Sequence, residues 1–301
     1  MRFGIAVPAY GQHATGRAVG ELIAAADELG FESAWLADHV AVPDYATAVN
    51  LKPPFLEPLV TCAWGLARTT RLRFGTDVLV APYRHPLLVA AMAGSVARLA
   101  EGRLILGVGV GYLRGEFEAL AAGPYEDRGR VTDEFLRTLR SLPEGLHVAE
   151  PPSPVPLWVG GNGAPARRRA ALLGDGWHPL WMADHRFADA RQEILELRTS
   201  AGLDGEFTFS YSCGRTRVLE HDPGAWPAPP PRPPEGSEFA YAPPTWTDDN
   251  HRPRLIGTPD QVIGDLRLLK DAGVDHVTLR FGDVDVAQLE RFAAEVAPAF
   301  A

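Results

Sequence analysis

Short apolar runs alternate along this chain with longer segments of helical period, and the alternation repeats eight times. The strand-like runs fall at 2–8, 33–37, 72–79, 103–108, 156–160, 176–179, 207–219 and 276–281. Each is followed by a stretch whose apolar residues recur three and four apart, at 17–29, 57–68, 86–100, 131–142, 164–173, 185–201, 259–271 and 286–296. Gly30, Gly102, Gly174 and Gly273 stand where four of these helices should stop, and Thr258-Pro259-Asp260 offers a cap followed by proline at the first helical position. Strand-then-helix units demand right-handed crossovers and parallel pairing. Eight of them in 301 residues predict an α/β fold closed as a (β/α)8 TIM barrel, with a doubly wound open sheet as the alternative.

One stretch breaks the rhythm. Residues 222–253 are dense in proline and carry no period, so they read as an insertion between strand 7 and helix 7 of a single domain spanning 1–301. The insertion leaves the C-terminal face of the barrel with Trp226, Phe239, Tyr241 and Trp246, which suits a substrate lid as well as a surface linker.

Composition narrows the function classes. Hydrophobic residues at 46% and charged residues at 22% describe an ordinary globular chain. With 38 acidic against 29 basic residues the net charge is −9, and the longest basic run is Arg167-Arg168-Arg169, so a nucleic-acid backbone is not an expected partner. The only lysines are Lys52, in a proline-rich loop, and Lys270, on an amphipathic helix, which argues against Schiff-base chemistry. Cys62 and Cys213 show no metal or CxxC spacing and read as free thiols of a reducing cytoplasm. No apolar stretch approaches the roughly 18 residues a membrane span needs, so a cytoplasmic location is expected.

In such a barrel the strand exits at the C-terminal end face the active site. Strand two ends in Asp38-His39, where an imidazole could exchange a proton near neutral pH under the bias of a carboxylate. No HxH, HExxH or carboxylate cluster accompanies it, so no metal site is expected. Strand three carries Gly75-Thr76-Asp77-Val78; Gly75 implies a bulge or the close approach of a backbone or flat ligand, and Asp77 is a carboxylate in need of a partner. Strand four ends in Gly107-Val108-Gly109-Val110-Gly111-Tyr112, with side chains removed at alternate positions but without the context of a dinucleotide fingerprint. Strand five leads into Gly160-Gly161-Asn162-Gly163 and then Arg167, Arg168 and Arg169, a glycine loop and helix N-terminus suited to a phosphate. Together these exits suit a flat, phosphate-bearing cofactor beside one histidine.

The ordered set of Ser33-Ala34-Trp35-Leu36-Ala37-Asp38-His39, Leu72 to Val78, Gly102 to Gly111, Gly160 to Gly163 and Gly174-Asp175-Gly176-Trp177 resembles the bacterial luciferase-like family. Within it, the set is most similar to the branch of oxidoreductases that use coenzyme F420, a 5-deazaflavin. The resemblance implies a non-proline cis peptide at Asp77–Val78 that buttresses the cofactor ring. It puts Gly107, Gly109, Gly111 and Tyr112 by the ring and ribityl chain, and Gly160, Gly161, Asn162 and Gly163 at the phosphate. It makes His39 the acid or base that accompanies hydride transfer to or from a small or medium organic substrate. Sugar-phosphate dehydrogenases of that branch carry a carboxylate where this chain has Tyr112, which argues against their substrate. The alternatives are an FMN-dependent monooxygenase that uses dioxygen and a separate reductase, and a non-catalytic flavin-binding barrel. Dimers are common in the family, so a homodimer is a further expectation.

Overall fold

A computed structural model of the chain describes residues 1–47, 51–151, 153–226, 252–282 and 284–301. In chain order its strands are β1 (Arg2–Ala6), β2 (Ser33–Leu36), β3 (Arg73–Thr76), β4 (Leu79–Val80), β5 (Leu104–Gly109), β6 (Leu157–Gly160), β7 (Gly176–His178), β8 (Thr208–Arg215), β9 (Arg217–Val218), β10 (Ile256–Gly257) and β11 (His276–Arg280). The large sheet runs β3-β2-β1-β11-β8-β7-β6-β5-β4, and an additional pairing of β3 with β5 closes the ring. The strand pairings within it are parallel, from Gly4 opposite Ser33 to Ser210 opposite His276. The predicted closed barrel is therefore the observed one, and the open sheet is excluded.

The helices are α1 (Gly16–Glu28), α2 (Asp44–Thr47), α3 (Pro58–Leu66), α4 (Pro86–Leu99), α5 (Arg114–Ala119), α6 (Arg128–Arg140), α7 (Ala164–Leu173), α8 (Asp184–Ser200), α9 (Pro259–Asp271) and α10 (Val286–Glu295). The longer ones form the outer ring and turn apolar residues to the strands; on α1 the buried residues are Val19, Leu22, Ile23 and Ala26. Thr258 caps α9 with Pro259 behind it, as the sequence predicted, and Gln261 completes a capping box.

Two strand expectations are refined. Residues 72–79 form two strands, because the chain bends at Asp77 and Val78 before β4 resumes beside β5. The 207–219 run also divides, since the Thr216 N–H turns to the Arg280 carbonyl and Arg217 leaves the barrel so that β9 can pair with β10. Of the proline-rich insertion, residues 227–251, with Phe239, Tyr241 and Trp246, lie outside the described residues. Both flanks bond to α9: Asp222 accepts from Gln261 at 2.6 Å, and Asp265 takes two nitrogens of Arg252 at 2.6 and 2.8 Å.

Inside the ring, alternate strand positions point to the axis. Trp35, Ile105 and Trp158 form an apolar cluster separate from the main core, with the two indoles stacked 5.0 Å apart. Around them the inward positions are polar: Ser33, His178, Ser210, Ser212, His276 and Thr278 are all buried.

Candidate active site

The β2 exit brings Asp38 and His39 to the mouth, but they part there. The buried Asp38 carboxylate takes the Arg84 guanidinium in two bonds of 2.6 and 2.9 Å and the Val80 N–H at 2.8 Å. It pins the segment after β4. The expectation that Asp38 biases His39 is thereby corrected: the carboxylate at the His39 ring belongs to Glu116 on α5, whose Oε2 lies 2.9 Å from Nδ1. Glu116 is 1% exposed, and its Oε1 accepts the N–H groups of Val40 and Ala41 while Tyr83 donates to Oε2. Burial pushes the Glu116 carboxyl up, yet His39 and the two backbone donors outweigh burial and hold it below the usual carboxylate range.

An anion at Nδ1 makes that nitrogen the donor, which leaves Nε2 as the atom able to exchange a proton. Nε2 faces the Tyr112 hydroxyl at 3.4 Å, and the ring meets Phe55 edge-on at 4.8 Å. The Tyr112 carbonyl accepts from Tyr125 at 2.9 Å, which fixes the start of the loop that leads to α5.

The floor of the mouth is the bend after β3. Its Asp77–Val78 peptide is cis, at the bond the resemblance implied. The bend explains several of the glycines. A Cβ on Gly107 would collide with the Thr76 carbonyl, one on Gly109 with a Val78 methyl, and one on Gly160 would lie 2.8 Å from another. Gly109 and Gly160 make room for Val78 over β5 and β6, and Gly107 for the Thr76 carbonyl. Gly75 and Thr76, expected at the cofactor, are instead turned to internal partners. A Cβ on Gly75 would strike the Trp35 indole, and the Thr76 hydroxyl donates to the Gly107 carbonyl at 2.7 Å. The flat group that approaches Gly75 is Trp35. Asp77 finds its partners in His178 (3.1 Å), Ser212 (3.2 Å) and Arg280 (3.2 Å).

The loop after β6 is held from three sides. Gly161 adopts φ +110, which only glycine tolerates easily, and its carbonyl accepts the Trp177 indole N–H. The Asn162 amide and the Leu180 backbone exchange two bonds of 2.6 and 3.0 Å, and Arg167 reaches back to the Asn162 carbonyl at 2.7 Å. Gly163 caps α7 without a side-chain bond; Pro165 has no N–H and the Ala166 N–H donates to the Gly163 carbonyl at 2.9 Å, so within the first three residues of the helix it is the Ala164 amide that can serve an outside acceptor. The arginine cluster disperses. Arg167 also pairs with Glu193, Arg169 with Asp133 on α6, and Arg168 is exposed.

Sequence reasoning missed Glu116, Tyr83, His178, Arg280 and Trp181. The indole N–H of Trp181, in the segment after β7, and the Nε of Arg280, at the end of β11, are buried without an acceptor. For His178 and Arg280 the signal was available in the alternation of the β7 and β11 runs.

Residues 1–225 match the family model described as luciferase-like monooxygenase. The chain belongs to that family. Its luciferase-like relatives include an uncharacterised protein of Mycobacterium tuberculosis, 35% identical over 52% of this chain and 62% of that protein. They also include the F420-dependent glucose-6-phosphate dehydrogenase of Kineococcus radiotolerans, 31% identical over 50% of this chain and 49% of that enzyme. The chain thus spans from about half to under two thirds of the length of these curated relatives. Monooxygenases stand among them as well. An F420-dependent secondary alcohol dehydrogenase, solved with an F420–acetone adduct, superposes over 100% of this chain and 99% of its own with a TM-score of 0.79 at 18% identity, a likeness of fold. The luciferase-like family thus embraces F420-dependent and flavin-dependent oxidoreductases.

Proposed function

We propose that this protein is an oxidoreductase that transfers a hydride between coenzyme F420 and a small or medium organic substrate, with His39 as the proton donor or acceptor. One observation carries the reading: a buried carboxylate fixes Nδ1 of His39 and leaves Nε2 beside the Tyr112 hydroxyl at the mouth. The residues fit a flat phosphate-bearing group. Val78, seated over the β5 glycines, would support the ring, Gly160 to Gly163 and the start of α7 would hold the phosphate, and the orphaned Trp181 N–H offers a donor. Arg167 would brace the phosphate loop through Asn162 and would not need to touch the anion.

When bound, the deazaflavin supplies or accepts the hydride. The substrate then gains or loses a proton, which His39 Nε2 delivers or takes while Glu116 stabilises the charged imidazole. The catalytic role passes to His39 with Glu116 as its positioning residue. Asp38 keeps a structural part through Arg84 and Val80.

The monooxygenases among the relatives favour FMN with dioxygen and a separate reductase as the second reading. Incubation with each cofactor, followed by fluorescence and thermal unfolding, separates the two. Coenzyme F420 at a hundred times its dissociation constant should stabilise the fold by roughly 3 kcal/mol and support redox turnover. FMN binding without deazaflavin binding would reject the proposal, and binding without turnover of either would leave a non-catalytic barrel.

We also propose a homodimer. Val60 on α3 and Leu88 and Leu99 on α4 are 67%, 57% and 87% exposed, apolar positions on neighbouring helices that a second copy could cover. Sedimentation as a monomer at micromolar concentration would refute it. Among the described residues no helix is long and apolar enough to cross a membrane.

A further inference from the structure

The barrel axis holds a continuous polar chain that the reaction at His39 does not use. It starts at the N-terminal rim with Glu32, whose Oε1 meets Arg73 at 2.9 Å and whose Oε2 lies 3.4 Å from His276 Nε2. His276 Nδ1 is 2.9 Å from the Ser210 hydroxyl, which is 2.8 Å from His178 Nδ1, and His178 Nε2 is 3.1 Å from Asp77 Oδ1. Ser33 also touches His276 Nε2 at 2.8 Å and accepts the Trp35 indole N–H. Both histidines and Ser210 are at most 1% exposed.

We propose that Glu32, His276, Ser210, His178 and Asp77 form a proton relay along the barrel axis, joining its N-terminal rim to the floor of the mouth.

The Ser33 hydroxyl sets the resting polarity of the chain. It accepts the Trp35 indole N–H and lies 2.8 Å from His276 Nε2, nearer than Glu32 Oε2 at 3.4 Å, so in the resting chain it donates to Nε2, which bears no proton. His276 Nδ1–H then donates to Ser210, the Ser210 hydroxyl donates to His178 Nδ1, and His178 Nε2–H donates to the Asp77 carboxylate. Burial lowers the proton affinity of His276, in keeping with a neutral ring. A proton bound at Nε2 would at once satisfy Glu32. The Nδ1 proton then passes to Ser210, the Ser210 proton to His178 Nδ1, and the His178 Nε2 proton to Asp77 Oδ1. One proton enters at His276 and one arrives on Asp77, each bond broken being replaced by one formed on the neighbour. The Trp35 face stacks on His178 at 4.6 Å and 17°, a surface that stabilises a passing imidazolium. Other charged groups at the two ends are Arg2 and Arg73 by Glu32 and Arg280 by Asp77.

Use of the relay in catalysis rests on the oxidoreductase reading, as a proton path separate from His39; its existence does not. The test is nitrogen NMR of the ligand-free protein labelled in histidine. At neutral pH, His178 should be the Nε2–H tautomer and His276 the Nδ1–H tautomer. On acidification the two rings should take up one proton together. Ser210→Ala should make them titrate separately, and Ser210→Thr should restore the joint uptake. A His276 Nε2–H tautomer, or independent titration in the unaltered protein, would overturn the relay, and neither measurement requires a variant that folds. In the cofactor-loaded enzyme, Ser210→Ala should lower turnover by about tenfold or more, with recovery in Ser210→Thr. Absence of turnover with either cofactor in the unaltered protein would reject the oxidoreductase reading alone, since the tautomers decide the relay separately.

Discussion

At the residue scale the chemistry depends on which nitrogen of His39 is tied. The 2.9 Å contact of Nδ1 with Glu116 commits that nitrogen, so replacing the carboxylate should harm turnover without emptying the site. His39→Ala is expected to lower turnover by about a hundredfold, and Glu116→Gln by roughly tenfold, with cofactor affinity changed by less than about twofold in both. Titration of cofactor fluorescence beside steady-state kinetics checks this; equal turnover in His39→Ala would remove the residue from the reaction. His39 was legible in the sequence because it follows a clear strand. Its partner was not, because Glu116 lies 77 positions away on a six-residue helix too short to show a period. Asp38 was the nearest carboxylate along the chain, but the bidentate fork of Arg84 claims it.

At the scale of elements, the bend between β3 and β4 organises the mouth, and glycines on two neighbouring strands make room for it. Gly109→Ala would drive a Cβ into the Val78 methyl, and a barrel stave buried on both sides has little freedom to withdraw. We expect a loss of about 3 kcal/mol in urea unfolding together with weakened cofactor binding. Gly30→Ala meets no atom within 4 Å and carries only the cost of φ +83, about 1 kcal/mol, with binding unchanged. If both variants lost stability equally, Val78 would not be the constraint. The eight strand and helix pairs were readable because the buried parallel strands are rich in apolar residues and their helices amphipathic. The glycines at 107, 109 and 160 were readable as a set, but their reason was hidden. Gly109 and Gly160 answer the Val78 side chain and Gly107 the Thr76 carbonyl, and packing against a segment so distant along the chain leaves no local pattern.

At the scale of the whole molecule, the charges gathered inside the barrel set how stability depends on pH. Burial pushes the Asp77 carboxyl up, but His178, Arg280 and Ser212 together hold it at about 2, against an ordinary 3.8. Glu32 is lowered as well, against its burial, in its pair with Arg73. A carboxylate lowered in the folded state adds stability that is fully present above its ordinary value and is lost as pH falls through the folded one. Asp77 alone should contribute roughly 2 kcal/mol that disappears between about pH 4 and pH 2. His276 acts in the same direction at higher pH. Burial lowers its proton affinity when folded, so below its ordinary 6.5 the unfolded chain binds more protons and stability again falls with acid. The urea midpoint should therefore rise from pH 2 to pH 7. Asp77→Asn should flatten the limb below pH 4 while lowering stability at neutral pH by about 3 kcal/mol, because Arg280 and His178 lose their anion inside the barrel. A midpoint in Asp77→Asn that still fell steeply below pH 4 would move the acid sensitivity elsewhere. The same variant joins fold to function: the carboxylate that steadies the barrel against acid lies under the bend that shapes the mouth, so its loss should weaken cofactor binding along with stability.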